Sequence, residues 1–371
     1  MHPTPGGVGD DERRPMTAHA TLSVDLTKIT ANTRDVVRAL GGVEVVAVTK
    51  CTCGSPEVGQ AMLAGGAVAL GESRHANAER HRAAGIAAPI WLLRTPAPEL
   101  AADTVRLFDL SLASELETCE ALDAAAAALG RRHQVLVMVD LGDLREGIMP
   151  AELPGFVDAV QTLEHLEFAG IGVNLTCYGA IMPDERNMAE LVALARETEK
   201  RVGRHLLVGG GNSGSIGMIA SGHMPAGITT LRVGETILHG VDTLTREPIL
   251  GLHDDVFDLS APVIECKVKP SLPRGSVAQD AYGNRPAFVD RGERRRAICA
   301  LGRQDVMAEW IEPLNGGVEI LGASSDHLIL DVQEMAAPPR LGQALRFRPN
   351  YAATVQLFTS PYVHKVFTPP A

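Results

Sequence analysis

The chain has 371 residues, of which 45% are hydrophobic and 21% charged, and its formal net charge at pH 7 is −11. A chain of this length can bury a large core, whereas its acidic balance disfavours a protein that holds nucleic acid or an anionic membrane surface. The first 20 residues lack the apolar stretch of a secretory signal, and no apolar run is long enough to cross a bilayer. The sequence therefore predicts a cytoplasmic protein with a small-molecule partner, and its six scattered cysteines are expected to be reduced.

Residues 1–20 are rich in Pro, Gly and charge, and we expect them to form a disordered leader. From about Leu22 to Gly251, short apolar runs alternate with Ala-, Leu- and Glu-rich helical stretches such as SPEVGQAMLAGG and ASELETCEALDAAAAALG, which indicates parallel strands covered by helices. Eight strands are predicted, ending at Lys50, Ser73, Arg94, Ser114, Gly142, Leu175, Ser213 and Gly240. Eight strands over this span favour closure into a (β/α)8 TIM barrel, which we assign to residues 21–255.

The rest of the chain, residues 256–371, has a different pattern. Its runs APVIECKVKP, RRAICALG, GVEILGA, HLILDV and ALRFRP are short, β-rich and separated by Gly and Pro. We therefore expect a C-terminal antiparallel β-domain with little helix.

Lys50 closes the first apolar run, VEVVAVTK, at the end of a barrel strand where active-site residues gather. A lysine desolvated at an apolar barrel mouth would have a lowered pKa and could form a Schiff base. The alternative is a strand-end lysine that reaches out to solvent.

Two further runs favour the reactive interpretation. LLVGGGNSGSIG places Asn212, Ser213 and Gly214 between the seventh strand and a helix, where backbone amides and a hydroxyl can converge on an anion, although a flexible glycine turn is the simpler interpretation. Arg232 lies in the otherwise apolar TTLRVGETILHG, so it needs a partner, which is either a carboxylate such as Glu235 or a cofactor ring nitrogen. A reactive lysine, a phosphate nest and an inward arginine together suggest pyridoxal 5′-phosphate.

The motifs AVTKCTCGSPE, LGESRHAN, QDAYGN, LGRQDV, GASSDHLILDV and NYAATVQLFTSPYV carry a family resemblance. With them, nearly everything after Thr21 resembles the fold-type III pyridoxal-phosphate enzymes of the alanine racemase superfamily, and most of all its ornithine racemase-type branch. The resemblance implies that Lys50 is the Schiff-base lysine, that Arg232 faces the pyridine nitrogen, and that Asn212 with Ser213 binds the phosphate.

The resemblance also assigns residues outside these strands. Tyr282 is implied as the catalytic tyrosine, delivered by the neighbouring subunit of a homodimer. Arg145 matches the arginine near the substrate carboxylate, and Tyr351 resembles a tyrosine near the phosphate. Ser325 and Asp326 fall in a substrate-contacting segment that the partner subunit also supplies.

Three positions depart from the family pattern. Gly54 replaces a phosphate-binding tyrosine, Asn174 replaces a barrel histidine near the cofactor, and Arg303 replaces an entry-gate tyrosine. A gate made of Arg303, Gln304 and Asp305 suits a longer, polar substrate better than a methyl side chain. Asp305 or Asp280 is a candidate partner for a distal ammonium group.

The resulting hypothesis is a pyridoxal-phosphate-dependent amino-acid racemase, with Lys50 and Tyr282 as bases on opposite faces of ornithine or lysine. Alanine or serine is the alternative substrate. A non-catalytic pyridoxal-phosphate carrier and a lyase are the alternatives of another class. Asp326 and His327 would be metal ligands only in a metal-assisted aldolase, and we expect no metal.

Other polar residues near the predicted site have simpler interpretations. His75 and His81 are expected to be solvated, Arg74 and Asn77 to reach the barrel mouth, and Cys51 and Cys53 to pack near the cofactor.

Overall fold

A computed structural model describes residues 18–368. The described chain divides into two compact units, a barrel unit of residues 25–256 and a β-unit of residues 18–24 together with 257–367. The first strand, β1 (Thr21–Asp25), therefore belongs largely to the β-unit, and the barrel unit begins at Asp25 instead of the predicted residue 21. The predicted leader lies mostly outside the described residues. Within residues 18–368, no helix is both long and apolar enough to cross a membrane.

The barrel unit contains eight parallel strands, and the last pairs with the first to close the barrel. The strands are β2 (Glu44–Val48), β3 (Ala69–Glu72), β4 (Ile90–Leu92), β5 (Leu110–Ala113), β6 (His133–Met138), β7 (Leu166–Gly172), β8 (Leu207–Asn212) and β9 (Thr230–Val233). The predicted TIM barrel is confirmed.

Helices follow the strands in a repeating βα order. They are α1 (Leu26–Ala39), α2 (Pro56–Ala64), α3 (His75–Ala83), α4 (Ala101–Leu107), α5 (Leu116–Ala128), α6 (Leu153–Gln161), α7 (Glu185–Val202), α8 (Ile216–Ala220) and α9 (Glu235–His239). The sequence explains their ends: Ser55 accepts a hydrogen bond from the Val58 amide at the start of α2, and Gly203 ends α7 in the left-handed conformation.

The barrel interior is filled by apolar side chains from successive strands, so it is a packed core and not a pore. Its buried members are Val46, Ala69, Trp91, Leu110, Leu112, Leu136, Met138 and Ala169. With the interior closed in this way, the polar groups at the carboxyl ends of the strands are left to form a site at the barrel mouth.

The predicted strand ends run past the observed ones, most of all in the last strand. That strand ends at Val233, and Glu235–His239 forms α9 instead of continuing to Gly240. Gly234 stands at the break, and a Cβ at this position would lie only 3.0 Å from the Val48 carbonyl oxygen. The break brings Glu235 and Thr236 to the mouth of the barrel.

The β-unit is an antiparallel sheet with the path β12-β15-β10-β11-β14-β13, and β1 joins it by pairing with β10 and β16. Its strands are β10 (Phe257–Pro270), β11 (Glu293–Cys299), β12 (Ile311–Pro313), β13 (Glu319–Ala323), β14 (Leu328–Asp331), β15 (Ala344–Pro349) and β16 (His364–Thr368). The predicted antiparallel sheet is confirmed. One helix, α10 (Tyr351–Thr359), accompanies it.

We expect the fold to lose stability in mild acid because two histidines are buried in the barrel unit. Burial lowers the pKa of both His133 and His239 to about 4. Between about pH 6.5 and 4, the unfolded chain therefore binds protons at these histidines that the folded chain does not bind. The free energy of unfolding falls over this range by about 3 kcal/mol for each histidine. Denaturant unfolding between about pH 7 and 5, where most carboxylates stay ionised, measures this loss. A His133→Asn variant should have a shallower pH slope, and an identical slope would contradict the prediction.

Candidate active site

Lys50 opens a tight turn directly after β2. The turn is closed by N–H groups of Thr52 and Gly54, which donate to the Thr49 carbonyl at 3.1 and 3.2 Å. Gly54 has a φ of +64°, and a Cβ there would lie 2.5 Å from the Asn77 Cβ, so this position requires glycine. Thr49 is fully buried, whereas Lys50 itself is exposed. Residues 18–368 of this chain therefore do not enclose the Lys50 side chain, and its activation at the barrel mouth stays a prediction.

A buried polar network lies behind this turn. The Glu72 carboxylate accepts hydrogen bonds from the Thr49 hydroxyl and, at 2.8 Å, from the Asn77 amide. His81 Nε2 is 3.3 Å from the same carboxylate and 3.0 Å from the Thr49 hydroxyl. The expectation of a solvated His81 is wrong, because His81 lies with Asn77 on the buried face of α3.

Three residues close in sequence to this network, Arg74, His75 and Cys51, lie outside it. Arg74 is exposed at the start of α3. His75 contacts the Thr104 hydroxyl at 2.8 Å and packs edge-on against Phe108, so it too is not simply solvated. Burial raises the pKa of the Cys51 thiol to about 12, which makes it a packing residue.

Arg232 lies on β9, in register with Val46 of the strand that leads to Lys50. Its side chain is 4% exposed, and Nη2 donates to the Val173 carbonyl at 2.7 Å. Nη1 has no hydrogen-bond partner among residues 18–368. Gly209 makes room for it, because a Cβ at that position would lie 3.2 Å from Nη1. Burial lowers the pKa of Arg232 to about 10, so the guanidinium stays charged at neutral pH and presents a free donor.

The glycine-rich turn after β8, the predicted phosphate nest, is held by hydrogen bonds between its own side chains and nearby backbone amides. The Asn212 side chain accepts from the Gly214 amide at 2.8 Å. The buried Ser213 hydroxyl accepts from the amides of Gly234 and Thr236, at 3.2 and 3.4 Å. The Thr236 hydroxyl is also buried and lacks a partner within the described chain. Gly234 and Thr236 are parts of this nest that sequence reasoning missed, since only the break in the last strand brings them there.

Arg145 is held in the loop after β6. Asp143 anchors this loop by accepting from the Gly179 amide at 2.9 Å, and Arg145 forms a two-bond ion pair with Glu146. With its amide oriented to satisfy its neighbours, Asn174 accepts from Arg145 Nη2 at 3.1 Å. The ion pair with Glu146 raises the pKa of Arg145 further. The barrel unit thus links two predicted site residues, Arg145 and Asn174, and in the same orientation the Asn174 nitrogen lies 3.2 Å from Asn212 Nδ2.

The remaining predicted residues lie in the β-unit, where Tyr282 and Arg303 stack on each other. The Arg303 guanidinium carbon is 4.6 Å from the centre of the Tyr282 ring. Asp280 caps the same loop, accepting from the Tyr282 amide at 2.9 Å and from the Asn284 amide at 2.8 Å. The hydrogen bonds from Asn284 and Tyr282, with the charge of Arg303, hold the pKa of Asp280 below its usual range. The structure therefore unites the tyrosine, the gate arginine and a carboxylate.

Asp305 does not have the free carboxylate expected of a substrate ligand. It is buried, accepts from the Ser360 hydroxyl at 2.6 Å, and faces the Gly302 amide at 3.3 Å. These contacts fix the turn that carries Arg303, so the prediction of Asp305 as a substrate contact is corrected to a structural role.

The other β-unit residues remain predictions as site residues. Ser325 accepts from the Gln304 amide at 3.1 Å through its carbonyl, and Asp326 accepts from the Gln304 side chain at 2.9 Å. Tyr351 is half-buried at the start of α10. Asp326 and His327 are exposed and gather no third metal ligand in the described part of the chain.

The chain thus combines a closed parallel barrel, with Lys50 just after the end of one strand, and an antiparallel β-unit. Residues 24–241 match the family described as alanine racemase, N-terminal domain. The chain is 40% identical to ornithine racemase of Acetoanaerobium sticklandii, over 93% of this chain and 98% of that protein. It is 37% identical to lysine racemase of Thermotoga maritima, over 94% and 98%. The chain therefore belongs to the alanine racemase family, and the prediction of an amino-acid racemase, an isomerase, is confirmed.

Solved structures agree on the fold. Alanine racemase from Bartonella henselae with covalently bound pyridoxal phosphate aligns with a TM-score of 0.73 at 17% identity, covering 95% of this chain and all of that one. At this identity the likeness establishes architecture alone.

Proposed function

We propose that this racemase uses pyridoxal 5′-phosphate and acts on a basic amino acid, ornithine or lysine. The observation that carries the cofactor assignment is the buried Arg232, whose Nη1 is a donor without a partner among the described residues, on the strand beside the one leading to Lys50. A buried donor of this kind needs an acceptor, and a pyridine nitrogen supplies one.

The other barrel residues fit the same group. Asn212, Ser213 and Gly214 with the Gly234–Thr236 segment would hold the phosphate, since they combine amides with a buried, unpartnered hydroxyl. Bound there, the cofactor would accept the electron pair that remains when the α-proton leaves the substrate. Arg232 holds its proton throughout, and we assign Arg145 to the substrate carboxylate.

Racemisation needs a proton donor and acceptor on each face of the α-carbon. We assign Lys50 to one face and Tyr282, from the partner copy of a homodimer, to the other. The loop of Tyr282 supports an interface because it exposes large apolar side chains, namely Val277, Tyr282, Phe288 and Val289.

The basic substrate is supported by the two near-full-length relatives and by Asp280. This carboxylate is exposed, kept ionised by its hydrogen bonds, and two residues from Tyr282. It can pair with the distal ammonium of ornithine or lysine, a group that alanine and serine lack.

The test is incubation of the holoenzyme in heavy water with each enantiomer of ornithine, lysine, alanine and serine, following α-deuterium uptake and chirality. We expect kcat/KM for exchange and inversion of ornithine or lysine to exceed that of alanine by about 10²-fold or more. The reason is that Asp280 would pair with the distal ammonium, which alanine lacks. Faster inversion of alanine or serine would overturn the substrate assignment. Bound cofactor without exchange of any amino acid would favour a non-catalytic carrier.

A further inference from the structure

The network behind the Lys50 turn is more completely buried than any other part of the site. The side chains of Glu72 and His81 are inaccessible to solvent, Thr49 is fully buried, and Asn77 is 4% exposed. Burying a carboxylate costs free energy unless it is paired and hydrogen-bonded, so the presence of Glu72 at this position has to be explained. Within residues 18–368, no lysine or arginine pairs with Glu72, and its partners are Thr49, Asn77 and His81.

The network is hydrogen-bonded to both ends of the turn that carries Lys50. At one end, Glu72 binds the hydroxyl of Thr49, the residue immediately before Lys50. At the other end, Arg80 donates to the Cys53 carbonyl and, at 3.3 Å, to the Asn77 side-chain oxygen, while the Asn77 amide donates to Glu72. The Glu72 carboxylate therefore holds the start of the turn directly. It holds the end of the turn indirectly, through Asn77 and then Arg80.

His81 completes the network from the far side of the carboxylate. Its Nε2 faces Glu72 and Thr49, whereas Nδ1 lies buried without a partner in the described chain. Gly59 packs against this edge, since a Cβ there would lie 3.2 Å from Nδ1. Nε2 is therefore the ring nitrogen that contacts the network, and Nδ1 is turned away from it.

Charged side chains of three elements, β3, α9 and α3, act on the Lys50 turn. Burial dominates the raised pKa of the Cys51 thiol, which also responds to the positive charge of Lys50 and the negative charges of Glu72 and Glu235. Lys50 and Glu72 are thus both close enough to act on the same buried residue. Arg80 contributes the remaining charge, at the end of the turn.

We propose that Glu72 is a positioning residue for Lys50, acting through the Thr49 hydroxyl and held in place by Asn77 and His81. The proposal rests on the proposed function, in which Lys50 bonds the cofactor. Because Lys50 is exposed, packing does not orient its side chain, and the fixed turn supplies that orientation instead. A displacement of about 1 Å in a reacting group can cost about 10²-fold in rate, so loosening the turn should slow bond formation at Lys50 without removing the phosphate nest.

The test compares Thr49→Val with Thr49→Ser and adds Glu72→Gln. Each purified apoprotein is mixed with pyridoxal 5′-phosphate, reduced with borohydride at increasing times, and analysed by mass spectrometry for the adduct at Lys50. We expect the rate of adduct formation to fall about tenfold or more in Thr49→Val and Glu72→Gln, whereas Thr49→Ser, which keeps the hydroxyl, stays within about twofold of the wild type. In separate samples of unreduced holoenzyme, kcat should fall more than KM rises in Thr49→Val and Glu72→Gln.

His133→Asn is the matched control, because His133 is a buried histidine bonded to the Ser111 hydroxyl at 2.8 Å, at the opposite end of the barrel strands. It should lower the melting temperature without slowing adduct formation. Equal rates in Thr49→Val and Thr49→Ser would overturn the proposal, as would equal slowing in His133→Asn. If the wild type itself forms no adduct at Lys50, the proposed function fails instead, so the two failures are distinguishable.

Discussion

Replacing Lys50 with alanine should abolish racemisation, reducing kcat for both enantiomers by more than about 10⁴-fold. The change removes the proposed base on one face of the substrate and the amine that bonds the cofactor, and both losses act on every turnover. The side chain is exposed at the start of the turn and makes none of the turn's backbone hydrogen bonds, so the fold should remain intact. Chiral chromatography after long incubation, with circular dichroism as the check on folding, measures the effect.

Lys28→Ala provides the control for this substitution. Lys28 is another surface lysine of the barrel unit, paired with Asp255 at 2.7 Å, and its loss should leave kcat within about twofold because an exposed ion pair contributes little. Racemisation in both directions by well-folded Lys50→Ala protein would refute the assignment of Lys50.

The barrel was predictable because its strands are buried on both faces and therefore appear as continuous apolar runs. The placement of β1 was not, since the local pattern of TLSVD does not reveal which sheet it joins. Its partner is β10, and the Ser260–Thr21 hydrogen bond spans 239 positions along the chain. A sequence pattern shows which side chains are buried and whether a segment has the periodicity of a strand or a helix. Which distant strand a segment pairs with depends on how whole elements pack.

Candidate site residues could be chosen from the sequence where a polar residue interrupts or follows an apolar strand, as at Arg232 and Ser213. Sequence reasoning missed Glu72, although an acid at the end of the run AVALGE is the same kind of signal. It also misplaced Asp305, because the contact that uses its carboxylate comes from Ser360, 55 positions away. A residue type limits the chemistry, but only tertiary packing decides whether a carboxylate is free or used internally.

Replacing Tyr282 with phenylalanine should stop racemisation yet leave α-deuterium exchange from one enantiomer. The ring that stacks on Arg303 is kept, and only the hydroxyl is removed. We expect exchange from the enantiomer whose α-proton faces Tyr282 to fall about 10²–10⁴-fold, while Lys50 still exchanges the other. Separate exchange measurements on each enantiomer in heavy water test this, with Tyr362→Phe, an exposed tyrosine of the same unit, as the control. Equal loss for both enantiomers would contradict a two-base assignment.

Mixing the two inactive variants tests whether Tyr282 acts across a dimer. A hybrid of one Lys50→Ala subunit and one Tyr282→Phe subunit has one site with both substitutions and one site with neither, provided that each site takes its tyrosine from the partner. Random re-association makes half of the dimers hybrids, so about one quarter of wild-type activity should return. If Lys50 and Tyr282 of the same chain work together, each hybrid site lacks one group and no activity returns.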